Sequence, residues 1–254
     1  EDQQIWAVSV YCEKSDEAAT KDRLAECLKI AGLQTEISME TLGNENWVEK
    51  TLSDLAPVRA GRFVVHGSHD TGCAKPNEHA ILVDAGMAFG TGHHGTTAGC
   101  LAMIDRELKR KKINKALDLG SGTGVLAIAI AMAARIPVLA TDIDPVADQI
   151  AQQNAKLNGM ANYVSSITST GFNHKDFADW VPFDLIVANI LAGPLQAMAY
   201  DLSRHLASNA TIILSGLLPH QKARICATYR SHGMALEHAH YQNGWMTLVL
   251  KNMR

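Results

Sequence analysis

The segment 116–126 constrains this chain more than any other, because an apolar strand pattern leads into alternating glycines and then into an apolar helix pattern. The strand contains Asp118, and the turn that follows has glycines at Gly120, Gly122 and Gly124. Glycine lets a backbone turn sharply and approach a ligand without a Cβ in the way, so this pattern predicts a nucleotide-binding turn. The phosphate-binding fingerprint of dinucleotide enzymes would have its third glycine where Val125 stands, so the spacing departs from that class.

A second strand pattern, Pro137–Thr141, ends at a carboxylate that lies 22 residues after Gly120. In nucleotide-binding βαβ units, an acid about 20 residues beyond the turn accepts hydrogen bonds from the ribose hydroxyls. Two aspartates compete for this role. Asp142 lies at the tip of the strand, whereas Asp144 precedes Pro145, the arrangement of a helix N-cap followed by proline. We therefore assign the ribose to Asp142 and the cap to Asp144.

The composition is typical of a cytoplasmic enzyme. Five scattered cysteines without a Cys-x-x-Cys pair favour a reducing compartment over a disulfide framework or a structural zinc site. The longest apolar run, Val125–Ala134, is too short to cross a bilayer, and the first residues do not resemble a signal peptide. A net charge of −3 gives no general nucleic-acid signature. We expect a cytoplasmic monomer with no membrane partner and no direct nucleic-acid binding.

Two regions of different character follow one another along the chain. We predict a small α+β unit over residues 1–55, a linker rich in glycine and proline over 56–80, and a larger domain over 81–254. Within the linker, Arg62–His66 could form a short strand. The first unit has a strand, a helix and a strand over Ile5–Tyr11, Asp16–Ala31 and Leu33–Ile37.

The larger domain alternates strand and helix patterns. Seven strands are predicted at Ala116–Leu119, Val138–Thr141, Val164–Thr168, Phe183–Ala188, Ala210–Ser215, Ala235–Tyr241 and Trp245–Leu250. The last two flank Asn243 and Gly244, a hairpin signal that leaves no room for a crossover helix. A parallel sheet that ends in an antiparallel hairpin is a doubly wound α/β domain.

A glycine-rich segment, 84–97, lies just before a helix that is predicted to begin near Thr96. Thr96 would suit the N-cap of that helix. Four glycines and the aromatic Phe89 exceed what a cap requires, so we interpret the segment as a mobile lid over a cofactor.

Asn189 follows the fourth strand of the predicted sheet, in the segment Ala188–Leu195. Ligands of open α/β sheets bind outside the carboxyl ends of the strands, so Asn189 should face the same crevice as Gly120 and Asp142. The alternative is that Asn189 is only a turn residue, since asparagine tolerates such positions well.

The Asp-x-Gly-x-Gly-x-Gly turn resembles the first motif of class I S-adenosylmethionine-dependent methyltransferases. The chain as a whole looks like the bacterial ribosomal protein L11 methyltransferase (PrmA) family. The motifs that carry this resemblance are Ala88–Gly92, Thr96–Thr97, Asp118–Gly120, Asp142–Pro145 and Ala188–Leu195, in that order. The resemblance implies methyl transfer from S-adenosylmethionine to lysine side chains and to the N-terminal amine of a large-subunit ribosomal protein.

The family's cofactor contacts carry over onto Thr97, Gly120, Asp142 and Asn189, and Asn189 is also the candidate catalytic residue. Further candidates for cofactor contact are Phe89, Asp118 and Gly122. The resemblance also implies a seven-stranded methyltransferase sheet. In residues 1–55 only the second half of the family's ferredoxin-like substrate-recognition domain is recognisable, which predicts a partial version of that domain. The lid also departs from the family's usual Thr-His-Pro, with His93-His94-Gly95 in its place.

Two other functions remain open: methylation of RNA or of a small molecule, and a noncatalytic module that binds the cofactor. The basic run Lys109–Lys112 could contact RNA, but it also suits the carboxyl end of a helix. His238 and His240 lie on one face of a predicted strand without a third ligand, so we expect no metal site. Trp47 and Trp245 are interpreted as packing residues.

Overall fold

The computed structural model describes residues 57–83 and 94–253, together with 14–33 and the single residues Val10, Cys12, Thr35, Ile37 and Ser38. The chain divides into two compact units, Glu1–Trp47 and Val48–Arg254. The first contains helix α1 (Glu17–Ile30), where the sequence predicts a helix. The strand predicted at Ile5–Tyr11 lies outside the described residues apart from Val10, and Leu33–Ile37 is described only in part.

The second unit begins with a three-stranded sheet of β1 (Val58–Ala60), β2 (Phe63–His66) and β3 (His79–Leu82). Strand β2 pairs antiparallel with β1 and parallel with β3. Phe63 and Ile81 are fully buried in one apolar core together with residues of the helices at 94–110 and 125–134. Most of the segment 56–80, expected to be a linker, is therefore folded into this unit. Its strands have only three or four residues, too few to show a clear alternating pattern.

The remaining elements alternate as expected. The helices are α2 (His94–Arg110), α3 (Val125–Ala134), α4 (Pro145–Leu157), α5 (Phe177–Trp180), α6 (Ala192–Ala197), α7 (Ala199–Arg204) and α8 (Lys222–Ser231). The strands are β4 (Ala116–Leu119), β5 (Val138–Asp142), β6 (Val164–Thr168), β7 (Phe183–Asn189), β8 (Leu206–Leu217), β9 (Met234–Gln242) and β10 (Trp245–Asn252).

The seven strands form one sheet in the order β6-β5-β4-β7-β8-β10-β9. The first five are mutually parallel, and β10 and β9 complete the sheet as an antiparallel hairpin. Strand β4 is buried on both faces because helices cover both sides of the sheet, and the two faces carry separate apolar cores. The predicted doubly wound architecture is confirmed.

Two helix boundaries differ from the expectation. The sequence pattern predicts one helix over Pro194–Leu206, whereas the structure has two short helices, α6 and α7, and Pro194 is the third residue of α6. Proline is tolerated throughout the first turn because those N–H groups have no helical partner. Helix α2 begins at His94, so Thr96 lies inside it and is not its N-cap. None of the described helices is long and apolar enough to cross a membrane.

Candidate active site

The glycine turn after β4 is tied to the end of the neighbouring strand β5. The backbone N–H groups of Gly120 and Ser121 both donate to the carbonyl oxygen of Thr141, at 2.7 and 2.9 Å. Gly120, Gly122 and Gly124 all have positive φ angles, of 74°, 53° and 77°. The turn therefore needs glycine at these positions for its backbone conformation, and it ends over the N-terminus of α3.

Asp142 and Asp144 make different contacts, and the contact of Asp144 is the helix cap that the sequence predicts. Asp144 Oδ1 accepts from the N–H of Val146 at 2.9 Å, which is the predicted N-cap of α4. Asp142 accepts from the N–H of Gly122 at 2.8 Å and from that of Asp144 at 3.1 Å, so its carboxylate joins the glycine turn to the start of α4. Asp142 is partly exposed, and each of its oxygens keeps a lone pair for another donor.

Asp118 lies beneath the turn rather than in the cleft. Its carboxylate is fully buried, Oδ2 accepts from the N–H of Ala127 at 2.9 Å, and Oδ1 has no partner among the described residues. Burial raises the pKa of Asp118 to about 7, and the negative charge of Asp142 adds to the rise. Because Asp118 has no exposed surface, it anchors the first turn of α3 instead of touching a ligand directly.

A cleft of about 290 Å³ opens at the carboxyl ends of β4, β7 and β8. It brings together four of the predicted site residues, Thr97, Gly120, Gly122 and Asn189. Asp142 does not line this cleft, and Phe89 lies outside the described residues. The cleft is also lined by residues that the sequence did not indicate as site residues: Thr96, Ser121, Thr123, Val125, Leu126, Ile190, Leu191, Gly216 and Trp245.

Asn189 is the last residue of β7 and pairs in register with Ser215 of β8. Its amide nitrogen Nδ2 donates to Thr96 Oγ1, across 3.3 Å. Thr96 is the third residue of α2. This hydrogen bond therefore joins the start of the helix to the end of a strand that lies 93 positions later in the chain. Asn189 therefore has a defined side-chain partner, beyond what a turn residue requires.

Helix α2 packs closely against the β9–β10 hairpin. A Cβ at Gly95 would come within 2.9 Å of Trp245 Cδ1, and one at Gly99 would overlap Thr247 Oγ1. The glycines thus allow the helix to approach the hairpin and place Trp245 in the wall of the cleft. Trp245 thus lines the cleft in addition to packing against α2. The hairpin signal at Asn243–Gly244 predicts that Trp245 lies at the start of the last strand.

The basic run Lys109–Lys112 begins in the last two residues of α2, and its first three residues make contacts within the domain. Lys109 Nζ donates to Asp105 at 2.6 Å, and Lys111 Nζ donates to the Asn209 carbonyl at 3.0 Å. Arg110 pairs with Glu107 at 3.0 Å and with Glu237 at 2.6 Å. These contacts are typical of a stabilised helix end. His240 Nε2 lies 3.2 Å from Gln242 Oε1, and within the described part of the chain no group of three or more His, Cys, Asp or Glu residues is arranged to hold a metal.

The cleft suits a nucleoside-containing cofactor by its own geometry. Open space lies where a Cβ of Gly122 would be, so a ligand can approach this backbone directly. Ser121 Oγ, in the turn, and Thr141 Oγ1, in β5, are buried polar atoms without a hydrogen-bond partner among the described residues, and like Asp118 Oδ1 they have almost no exposed surface. The carboxylate of Asp142 adds a negative acceptor beside the same turn. The groups that a ligand can reach, the Gly122 backbone and the partly exposed Asp142 carboxylate, fit a ligand with hydroxyls.

Comparison with known proteins agrees with this geometry. The family model of ribosomal protein L11 methyltransferase (PrmA) matches residues 1–253. The ribosomal protein L11 methyltransferase of Rhizobium etli is 48% identical over 250 residues, which cover 98% of this chain and 85% of that protein. The Rhizobium meliloti protein of the same name is 47% identical over 252 residues, covering 98% of this chain and 86% of its own length.

Among solved structures, a crystal structure titled ribosomal protein L11 methylase, from Lactobacillus delbrueckii subsp. bulgaricus, superposes with a TM-score of 0.71. It is 27% identical in sequence and covers 79% of this chain and 100% of its own. The similarity therefore extends well beyond the glycine turn.

Proposed function

Because the chain belongs to the ribosomal protein L11 methyltransferase family, we propose that it transfers methyl groups from S-adenosylmethionine to amines of ribosomal protein L11. The observation that supports this proposal is that Asn189 and Thr97 line the same cleft as the glycine turn. The acceptors are lysine side chains and the N-terminal amine, as the family resemblance implies. The cytoplasm, where ribosomes assemble, is the proposed location.

The residues of the turn would hold the cofactor. Gly120 and Gly122 present backbone without a Cβ, and Thr97 lines the same cleft. Asp142 would accept from the ribose hydroxyls with the lone pairs that its two backbone donors leave. The cofactor supplies a methyl group made electrophilic by its positive sulfonium.

The protein must present the acceptor amine without its proton. At pH 7 a lysine amine is deprotonated about once in a few thousand, a deficit of about 4.6 kcal/mol, whereas an N-terminal amine lacks only about 1 kcal/mol. No Asp, Glu or His is among the cleft-lining residues that the structure describes. Transfer of the amine into the cleft removes water, which lowers its pKa. Before a second transfer the methylated nitrogen must again lose a proton, and this proton passes to solvent.

Asn189 would aim the amine. Its Oδ1 can accept one N–H of the neutral amine and so direct the nitrogen lone pair along the line of attack. This assigns to Asn189 a contact with the reacting atom and makes it the proposed catalytic residue.

The rim of the cleft favours an aliphatic amine over a nucleic-acid base. Leu191 lines the cleft and is 69% exposed. Exposed apolar side chains of this kind suit the four-carbon stem of a lysine. Lys109 and Arg110 of the basic run are paired with carboxylates of the domain, which reduces the positive charge that this run offers to RNA.

A direct experiment is mass spectrometry of purified ribosomal protein L11 after incubation with this protein and isotopically labelled S-adenosylmethionine. We expect label on lysine side chains and on the N-terminus. L11 with its amines acetylated beforehand is the control and should gain none. Label on added ribosomal RNA, or none on untreated L11, would contradict the proposal.

A further inference from the structure

The side chain of Asn189 has two ends of nearly the same shape and opposite chemistry. Oδ1 accepts hydrogen bonds and Nδ2 donates them. An amine about to attack a methyl carbon can donate an N–H, but it needs its lone pair for the attack. In the flipped orientation, Nδ2 would donate a hydrogen bond to that lone pair and make it unavailable for the attack. The orientation of the Asn189 amide therefore decides whether this side chain promotes or inhibits methyl transfer.

The structure shows what sets this orientation. Asn189 Nδ2 donates to Thr96 Oγ1, at 3.3 Å, and both residues line the cleft. No described residue donates to Asn189 Oδ1, and this oxygen is not among the buried atoms that lack a partner. The amide nitrogen is therefore engaged with Thr96 while the oxygen remains accessible from the cleft.

Thr96 is itself held from behind. Ser215 Oγ donates to the Thr96 carbonyl oxygen at 3.2 Å and lies 3.0 Å from Thr247 Oγ1. Because the Ser215 hydrogen is used toward Thr96, Thr247 is the donor in the second bond. Ser215 is 0% and Thr247 2% exposed, so water does not compete for these bonds. Gly99 leaves the space in which α2 approaches Thr247.

We propose that Thr96 is a positioning residue for methyl transfer, which turns the Asn189 amide so that its oxygen faces the acceptor amine. The inference rests on the proposed function for the presence of that amine in this cleft. Thr96 acts through Asn189: it accepts from Nδ2, and Oδ1 is thereby directed to the substrate. Ser215 and Thr247 keep Thr96 in place for this role.

The test compares Thr96→Val, which keeps the shape but cannot accept, with Thr96→Ser, which keeps the hydroxyl. With saturating cofactor and L11, Thr96→Val should lower kcat about five- to tenfold, the worth of one neutral hydrogen bond. The KM for L11 and the calorimetric Kd for the cofactor should stay within about twofold. Thr96→Ser should keep nearly full kcat, and Thr96→Ala should show the same loss as valine.

A double-mutant cycle separates positioning from direct contact with substrate. If Thr96 acts through Asn189, Thr96→Val should have no further effect in an Asn189→Ala background. Thr228→Val is the matched control, because Thr228 Oγ1 also accepts from a side-chain amide, that of Gln196, at 3.1 Å and away from the cleft. Its kcat should equal that of the wild type.

Nuclear magnetic resonance reads the orientation without turnover. The side-chain NH₂ signals of Asn189 are assigned as the signals that are present in the wild-type spectrum and absent from the Asn189→Ala spectrum. Their exchange with solvent should be slow in the wild type and Thr96→Ser and faster in Thr96→Val. Unchanged exchange, an unchanged kcat in Thr96→Val, or full additivity in the cycle would each overturn the inference. A wild-type protein that does not methylate L11 would instead contradict the proposed function, and the exchange data would still decide the orientation.

Discussion

Gly120 lies directly against Ile190, so closely that a Cβ at position 120 would overlap the Ile190 Cγ2 methyl group. Gly120 follows β4 and Ile190 follows β7, and these two strands are parallel neighbours at the centre of the sheet. The two motifs that most strongly indicated a cofactor site in the sequence are thus in contact at the floor of the cleft. Gly120 also has a φ of 74°, so two separate constraints act on one residue.

Gly120→Ala should therefore destabilise the protein by about 3 kcal/mol, because the strained φ and the overlap with Ile190 add. Gly72→Ala is the matched control: its φ is 86°, but nothing lies within 4 Å of the added Cβ. It should lose only about 1 kcal/mol. Urea unfolding of both variants measures the difference. Equal losses would mean that the contact with Ile190 contributes nothing.

Asp142→Ala should weaken binding of S-adenosylmethionine by about 2–3 kcal/mol, since it removes a charged acceptor for two hydroxyls. Asp144→Ala removes only the cap on Val146 and should cost about 1 kcal/mol of folding stability with little change in cofactor affinity. Isothermal calorimetry of the two variants makes the comparison. Similar losses of affinity would contradict the assignment of the ribose to Asp142.

Asp118 should make stability fall as pH rises from about 4 to about 7. Its pKa is raised from 3.8 to about 7 in the folded protein, so in this window the folded state keeps a proton that the unfolded state has lost. The folded state binds more protons there, and the free energy of unfolding decreases with pH until it levels off above the folded pKa. Burial raises the pKa of Cys100 to about 12, with a smaller contribution from the charge of Asp118, so this thiol stays neutral throughout.

Asp118→Asn should remove this contribution while its carbonyl still accepts from Ala127. The stability of the variant relative to the wild type should therefore rise between about pH 4 and about pH 7 and stay constant above. Denaturant unfolding of both proteins at several pH values across this window gives the comparison. A constant difference at all pH values would show that Asp118 is ionised in the folded protein.

Removal of residues 1–47 should separate recognition from cofactor binding. A chain that starts at Val48 keeps the whole second unit, so its cofactor affinity should remain within a few-fold. We expect methylation of folded L11 to be abolished, because binding energy remote from the reacting amine is lost. Methylation at the full-length rate would place recognition in the second unit.

A chain that starts at residue 84 is the contrasting truncation. It loses Phe63, Val64 and Ile81, all 0% exposed, and each large buried side chain contributes about 2–5 kcal/mol. This chain should not fold, as circular dichroism would show. A folded product would mean that 58–82 is dispensable, as the linker interpretation expected.

The sequence predicted best what depends on neighbouring residues. The glycine turn, the Asp144 cap and the seven strands follow from local patterns of apolar residues and backbone-specific residue types. The carboxyl-end rule then brought Asn189 to Gly120 without knowledge of any side-chain contact.

What escaped prediction depends on residues far apart in the chain. Trp245 lines the cleft because Gly95 lets α2 approach the hairpin, a relation that no short window contains. The burial of Asp118 depends on helix α3 folding back over the turn, so a carboxylate beside glycines looked like a ligand contact. Of the short strands β1–β3, the sequence predicted only β2, at Arg62–His66; β1 and β3 have too few residues to show a pattern, and the burial of Ile81 in the larger core shows that this segment is folded.

The bond between Ser215 and Thr96 spans 119 positions of the chain, and it has a consequence for how the protein reaches its native state. Contacts between distant residues form late, because the entropy of closing a long loop is lost before the contact stabilises anything. A partly folded molecule can therefore contain the glycine turn while the wall that orients Asn189 is still missing. A ligand that binds only the complete cleft shifts the equilibrium between the partly folded and the native protein toward the native protein. We therefore expect S-adenosylmethionine to stabilise the native fold in addition to donating the methyl group.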